Sequence, residues 1–416
     1  MLIKNNLLIF LSLFLYSSLI FGFVIGEDLN GGARMDFITT AKIAQLFAKD
    51  FNYNFLNYEE LLERHSPVIS MVIAKLIQIG LEIQTIQLIF LHICLFLCIY
   101  FYKSLRIIFH DVDKVWLKYL SLIIFLSPTF RSLSIWPDSR IFGLLFFTVS
   151  LYYFLKFKFK EKKYKYVLVN SFFLAISSYF SPNYCIFALY FLVEYFIYYK
   201  KKKELLYYII FNIFLALPAF YYIFVLDIFF IYSGGTPGSE EYLKEYSFIS
   251  YFSNKILIIS SIIFFYLIPI ILSKKENIFK IKFDKYFIAI ILFFLLNIAF
   301  FDYKVEFTGG GIFFKFSSIF FNNNLFFYLS ALVSFYFIYL RYLNWNNFFI
   351  ICILIISNPQ LSIYHKYYDP LLIILFFTIF KINLDKSYFN LRNLSILYLF
   401  CSMFIIASVY KVEFIY

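Results

Sequence analysis

The sequence predicts an all-α fold, a polytopic transmembrane helical bundle of about 13 spans with amphipathic helices on the periplasmic side. Hydrophobic residues make up 62% of the chain and its mean hydropathy is +0.80, well above a soluble domain. Apolar runs of about 20 residues recur along it, and short basic clusters separate them. We therefore expect residues 1–416 to form a single membrane domain that includes a periplasmic first loop, 26–66.

The first span covers 6–25 and is predicted to be an uncleaved anchor, because the apolar run is long and no A-x-A cleavage pattern follows it. The other spans are predicted from the same hydropathy criterion. They are 84–102, 116–133, 139–156, 165–181, 183–199, 205–226, 255–272, 286–303, 322–341, 347–358, 368–381 and 393–411.

The first loop is the longest polar segment, and its pattern predicts helices. In 37–49, Phe37, Ala41, Ala44 and Ala48 follow three- and four-residue steps, which predicts an amphipathic helix along the membrane surface. A second short helix is predicted from Tyr58 to Arg64, and Pro67 opens an apolar run to Gln84. Whether that run inserts is left open, because Lys75 and Glu82 interrupt it.

The distribution of charge predicts orientation. The formal charge of +12 does not indicate nucleic-acid binding, because the basic residues sit in short clusters between apolar spans. With a cytoplasmic N-terminus, most of the 37 Lys and Arg residues are inside and most of the 25 acids are outside. This positive-inside bias predicts a multi-pass protein of the bacterial inner membrane, with its active face in the periplasm.

Few familiar motifs are present. The sequence has no Walker-type glycine loop, HExxH or GxSxG, so ATP-driven work by this chain alone is not expected. The five cysteines lie in apolar spans without a CxxC, which predicts neither a disulfide framework nor a metal site.

The acidic pair Glu27-Asp28 follows the first span and is the main candidate for chemistry. Asp28 could act as a general base, and the pair could instead bind a divalent cation or simply be solvated. The adjacent Gly31-Gly32 predicts a turn or a close approach to a ligand. Arg34 and Asp36 follow it as substrate-binding candidates, and a plain ion pair between them is the alternative.

Basic residues at other outer segments are candidates for binding an anion. Arg64 and His65 precede a helix start, where the dipole favours a phosphate. Arg131, Asp138 and Arg140 flank Trp136 at the start of another span, and arginine offers phosphate a planar fork of donors. The alternatives are a structural histidine, and an interfacial tryptophan with a helix cap.

A late outer segment adds His365, Lys366 and Tyr367, which could hold an anionic lipid headgroup, with snorkelling as the alternative. Each signal is weak alone. Their occurrence on one predicted face fits a site that handles an anionic donor carried in the membrane.

At these residues the chain resembles the GT-C superfamily, the polytopic glycosyltransferases that use polyprenyl-phosphate sugars. Relatives of the protein mannosyltransferases and of the lipid A aminoarabinose transferase commonly show a D-E type pair and an H-P-P element. The corresponding residues here are Glu27-Asp28 and His65-Ser66-Pro67. The later Tyr367-Tyr368-Asp369-Pro370 resembles a Y-x-x-P element near the end of that membrane domain.

The resemblance implies a GT-C-like fold and an inverting sugar transfer. Asp28, or Glu27, would deprotonate an acceptor hydroxyl, and the basic candidates would bind the donor phosphate. The implied partners are a polyprenyl-phosphate-linked sugar donor, a glycan or lipid acceptor, and membrane lipids.

Three other functions are compatible with the sequence. A lipid-linked polysaccharide polymerase would be expected to carry a large arginine-bearing outer loop late in the chain, whereas here the first loop is the largest. A flippase or transporter should show charges in mid-membrane and an internal repeat, and Glu194 is the clearest such acid. A non-catalytic scaffold would leave the outer charges unexplained.

Overall fold

The computed structural model describes residues 2–29, 31–63, 65–200, 202–228, 248–274, 285–304 and 309–414. Over these ranges it is all-helical, without a strand. The chain divides into two compact units, Met1–Ser233 with Phe389–Tyr416, and Gly234–Tyr388. The expectation of a single membrane domain stays a prediction.

Six helices in the described ranges are long and apolar enough to cross a membrane, and each coincides with a predicted span. They are Asn5–Ile25, Ile83–Ile108, Ser139–Phe159, Lys203–Val225, Ile249–Ser273 and Leu391–Tyr410. Shorter apolar helices of 10–17 residues accompany them. The fold is therefore helical and compatible with a membrane protein, while the total of about 13 spans stays a prediction.

The first unit contains thirteen α-helices in its described residues. They are α1 Leu2–Ile25, α2 Ala33–Lys49, α3 Phe51–Leu56, α4 Val68–Gln78, α5 Ile83–Cys94, α6 Phe96–Ile108, α7 Lys114–Leu122, α8 Pro128–Ile135, α9 Ser139–Phe159, α10 Tyr164–Phe180, α11 Phe187–Tyr199, α12 Lys203–Phe220 and, from the C-terminus, α19 Leu391–Phe414. The central helix is α9, which packs against α6 and α10. Asn170 on α10 donates to the backbone oxygen of Ser150 on α9 at 2.9 Å, so a buried amide joins the two.

The predicted span 116–133 is not one continuous helix, which corrects the sequence interpretation. It consists of α7, a 3₁₀ turn at Ile123–Leu126, and α8. Pro128 disfavours helical backbone in the residue before it, and Ser127 is extended, with φ −83° and ψ 120°. The Ser127 hydroxyl then caps α8 by accepting from the Phe130 N–H at 2.9 Å.

The first loop also departs in detail from the prediction. Helix α2 begins at Ala33 rather than Phe37, and its buried face packs against α4. The second predicted helix is a 3₁₀ turn at Tyr58–Leu61. The apolar run after Pro67 forms only α4, which has 11 residues and is followed by Gly80 at φ 91°.

The described residues of the second unit form α13 Phe248–Ser273, α14 Lys285–Ala299, α15 Gly311–Phe321, α16 Leu325–Phe335, α17 Trp345–Ile356 and α18 Leu371–Phe376. Helix α15 lies between the predicted spans 286–303 and 322–341, in a segment for which no span was predicted because glycine and asparagine residues flank its short apolar run. The predicted span 368–381 is also wrong as a continuous helix, since α18 has only six residues.

Candidate functional site

Glu27 and Arg131 form the centre of the polar cluster in the first unit. The Arg131 Nε donates to Glu27 Oε1 at 2.6 Å, and Nη2 donates to Oε2 at 2.7 Å. The same guanidinium donates to the Ser18 hydroxyl and to the Ser18 backbone oxygen, both at 3.0 Å. Arg131 is only 6% exposed. This Glu27–Arg131 clamp therefore ties the end of α1 to α8, and the carboxylate of Glu27 is already occupied by a buried cation.

The backbone around Glu27 brings its carboxylate onto α1. The Glu27 N–H donates to the Gly22 oxygen at 2.8 Å, which turns the chain back over the last helical turn. A Cβ at Gly22 would lie 2.5 Å from Glu27 Oε2, so a larger residue there would force the clamped carboxylate to shift. Gly22 therefore provides the space that the Glu27 carboxylate occupies in the clamp.

Trp136 joins three parts of this cluster. Its indole Nε1 donates to the Glu27 backbone oxygen at 3.0 Å, and its ring lies 6.0 Å from the Phe37 ring on α2. The Arg34 guanidinium carbon lies 5.5 Å from the Trp136 ring centroid, on the exposed side. Arg34 is therefore stacked on tryptophan instead of pairing with Asp36.

Asp28 differs from its neighbour Glu27 because, among the described residues, no cationic side chain pairs with its carboxylate. Its Oδ2 accepts the N–H of Gly32 at 2.9 Å and the N–H of Arg34 at 3.1 Å, at the start of α2. Gly31 and Gly32 supply the turn with φ of 62° and 129°. The Asp28 Oδ1 is buried without a hydrogen-bond partner in the described part of the chain. One oxygen is thus fixed by backbone, and the other is an open acceptor.

Arg140 is held between two carboxylates. Its Nη2 contacts Asp36 Oδ2 at 2.6 Å, and its guanidinium also pairs with Asp138. Asp138 caps α9 by accepting the Arg140 N–H at 2.8 Å. Arg140 is 8% exposed, so this triad is a nearly buried link between α2 and α9. An anionic substrate would have to compete with both carboxylates for it.

His65 also contacts an acid. Its Nδ1 lies 2.6 Å from Glu63 Oε1, which orients the ring and leaves Nε2 as the other site for a proton. Burial raises the pKa of the Tyr58 phenol far above its usual value, and its hydroxyl donates to the His65 oxygen at 2.7 Å. The predicted partner Arg64 lies outside the described residues. Glu63, which the sequence analysis did not single out, thus makes an anion at His65 less favoured.

His365, Lys366 and Tyr367 form a 3₁₀ turn in the second unit. His365 Nε2 lies 2.9 Å from the Tyr266 hydroxyl, and Lys366 Nζ lies 5.1 Å from the Tyr364 ring centroid. The Tyr367 hydroxyl donates to Gln360 Oε1 at 3.2 Å. These contacts make the turn a polar and aromatic cluster within its own unit.

Sequence reasoning missed Lys255, because the span containing it was predicted to begin at that residue. Helix α13 in fact begins at Phe248, so Lys255 lies inside a candidate membrane span and is 2% exposed. Its ammonium bonds to the Asn358 oxygen and to the Tyr251 hydroxyl, whose ring centroid lies 4.0 Å away. No carboxylate forms an ion pair with it in the described residues of the unit. The sequence feature that could have indicated a longer helix around Lys255 is the aromatic-rich segment that precedes this residue.

The first unit therefore brings together most of the predicted residues of its first loop and of the α8–α9 segment. They are Glu27, Asp28, Arg34, Asp36, Arg131, Asp138 and Arg140. Three or more His, Cys, Asp or Glu side chains placed to hold one metal ion do not occur in the described ranges. Comparisons with models of protein families, with curated proteins and with solved structures found no match.

Proposed function

We propose that this chain is a membrane glycosyltransferase that moves a sugar from a polyprenyl-phosphate donor to a glycan or lipid acceptor of the cell envelope. The observation that carries the proposal is the state of Asp28, whose Oδ2 is fixed by two backbone N–H groups while Oδ1 stays buried and open. A buried acceptor without a partner costs about 1–3 kcal/mol, which a hydroxyl donor would recover. This favours Asp28 as the group that binds the acceptor hydroxyl.

In the proposed reaction, Asp28 takes the proton of the acceptor hydroxyl. At the same time, the oxygen of that hydroxyl forms a bond to the anomeric carbon of the sugar. The bond from that carbon to the phosphate oxygen breaks, and the lipid phosphate leaves with the electron pair. Arg34 is the preferred ligand of that phosphate, because it is exposed and makes no ion pair among the described residues. Glu27 then has a positioning role, since the Glu27–Arg131 clamp occupies its carboxylate.

The proposed setting is the bacterial inner membrane, with a cytoplasmic N-terminus and the first loop in the periplasm. The charge distribution supports this orientation. Nucleotide sugars are absent from the periplasm, so a sugar donor that is already linked to a lipid is needed there.

A second candidate is a flippase or transporter of an anionic lipid-linked glycan. Lys255 favours it, because a buried ammonium inside a candidate span can bind a phosphate during passage. Glu194 does not add to this case, since its carboxylate lies 2.8 Å from Lys158 Nζ, close to the end of α9.

The test is mass spectrometry of glycans and glycolipids from cells with wild type, a deletion, or Asp28→Asn. Asp50→Asn is the matched control, because Asp50 caps α3 in the same loop and asparagine also caps. We expect one sugar to be missing with the deletion and with Asp28→Asn, but present with the control. A normal glycan profile in the deletion strain would reject the transferase, and lipid-linked glycan retained on the cytoplasmic side would favour the flippase.

A further inference from the structure

Helices α10 and α12 lie side by side in the same direction, because α11 returns the chain between them. Asn212 on α12 donates to the Ser171 hydroxyl on α10 at 3.2 Å, and further along the Tyr179 hydroxyl donates to the Leu215 oxygen at 2.7 Å. Both helices therefore begin at the same end of the pair.

At that end the two helices leave a groove of about 400 Å³ that is largely open to its surroundings. Its lining is almost entirely apolar and comprises Tyr164, Leu168, Tyr207, Ile210, Phe211 and Phe214, which we call the α10–α12 groove.

The walls of the groove continue into the exposed face of α12. This helix belongs to a candidate membrane span that is scarcely buried within the protein. Ile210 and Phe214 are 54% and 64% exposed. In a bilayer such a face contacts hydrocarbon, so an acyl chain is a natural occupant of the groove.

The mouth of the groove is basic. Neither α10 nor α12 has a side-chain cap, so their free N–H groups and dipoles both favour an anion. Lys165, Lys202 and Lys203 are exposed there and make no ion pair in the described part of the chain. The nearby acids are Glu161, which pairs with Lys163 at 2.6 Å, and Glu204 on the first turn of α12.

The lining of the groove also contains a polar group, the Tyr164 hydroxyl. The Tyr164 hydroxyl is buried without a hydrogen-bond partner among the described residues, although the ring lines the groove. A buried hydroxyl without a partner is destabilising unless a ligand or water completes it. Tyr164 is the first residue of α10, and its ring packs edge-on against the Tyr199 ring, with 6.0 Å between the ring centroids.

We propose that one anionic glycerophospholipid binds in the α10–α12 groove. Its acyl chain lies against Leu168, Ile210 and Phe214. Its phosphate lies at the two helix N-termini, within reach of Lys165, Lys202 and Lys203 and of the Tyr164 hydroxyl. This site is separate from the first-loop cluster and does not depend on the proposed transferase activity.

The test is native mass spectrometry of the full-length protein in detergent, with added phosphatidylglycerol or phosphatidylcholine. We expect wild type to retain phosphatidylglycerol at a concentration at least tenfold lower than phosphatidylcholine. Lys202→Gln with Lys203→Gln should weaken the retention of phosphatidylglycerol about thirtyfold, the combined effect of two surface lysines. Ile210→Trp, which fills the groove, should weaken the retention of both lipids.

Lys114→Gln with Lys118→Gln is the matched control, because both lysines are exposed on α7 and the charge change is the same. Equal loss of phosphatidylglycerol in this control would overturn the proposal in favour of diffuse surface charge. Full competition by inorganic phosphate, with Ile210→Trp unchanged, would overturn it in favour of a free anion. Equal retention of the two lipids by wild type would overturn it as well.

Discussion

Arg131 and Glu27 lie 104 residues apart in sequence, yet two hydrogen bonds of 2.6 and 2.7 Å join their side chains. Both side chains are largely buried, at 8% and 14% exposure. A buried ion pair is a weak source of net stability, but a buried charge that has lost its partner is strongly destabilising. The pair therefore fixes where α8 can lie against α1.

Glu27→Gln should destabilise the protein by about 3–5 kcal/mol, because the buried charge of Arg131 loses its only carboxylate among the described residues. The measurement is thermal unfolding of purified protein in detergent. Glu82→Gln, at an exposed helix start, is the control and should unfold like wild type. Normal stability of Glu27→Gln together with loss of sugar transfer would instead make Glu27 a catalytic residue.

We predict that Gly22→Ala destabilises the protein, which is the opposite of the usual effect of this substitution in a helix. Replacing a helical glycine by alanine ordinarily stabilises by about 0.5–1 kcal/mol. Here the new Cβ would meet Glu27 Oε2 at 2.5 Å and Ile135 Cδ1 at 3.1 Å, so we expect a lower melting temperature. The test is the same unfolding assay, and an increase in melting temperature would show that the clamp can move aside.

Arg140→Lys should destabilise the protein, because lysine cannot reproduce the planar fork that reaches Asp36 and Asp138 together. The loss should be about 1.5–3 kcal/mol for each charged hydrogen bond that is not replaced. Arg34→Lys is the matched control and should change unfolding by less than about 0.5 kcal/mol, since Arg34 is exposed. Equal destabilisation by Arg140→Lys and Arg34→Lys would contradict the prediction that Arg140 matters more for stability than Arg34.

Lys255→Met should cost at most about 1–3 kcal/mol, because methionine has a similar length and its only penalty is to leave the Asn358 oxygen without the ammonium donor. Lys255→Ala should instead cost about 2–5 kcal/mol through the cavity it leaves. Unfolding and function are measured together for both variants. A stable Lys255→Met protein that has lost function would give the ammonium a role in binding, whereas full function would leave it a packing residue.

The six long apolar helices were predictable because a continuous apolar run of sufficient length is a local signal. The interruption at Ser127-Pro128 was predictable in principle from the proline, but high hydropathy on both sides obscured it. Helix α15 was missed for the converse reason, since Gly310 and Asn322 at its ends suggested a loop.

The partners within the cluster could not be predicted from sequence. Glu27 and Asp28 are adjacent acids with almost the same chemistry, and only tertiary structure gives one of them an arginine and the other two backbone N–H groups. Arg34 and Asp36 suggested a local ion pair, whereas Asp36 contacts Arg140 on a distant helix. Long-range partners depend on how helices pack, which a single sequence does not contain.

The separation of 104 residues between Glu27 and Arg131 also has a consequence for biosynthesis. At a translation rate of about 5–20 residues per second, Glu27 is synthesised roughly 5 to 20 s before Arg131. During that interval α1 has no Arg131 against which its last turns can settle. The Glu27–Arg131 clamp can therefore form only after α8 has been synthesised.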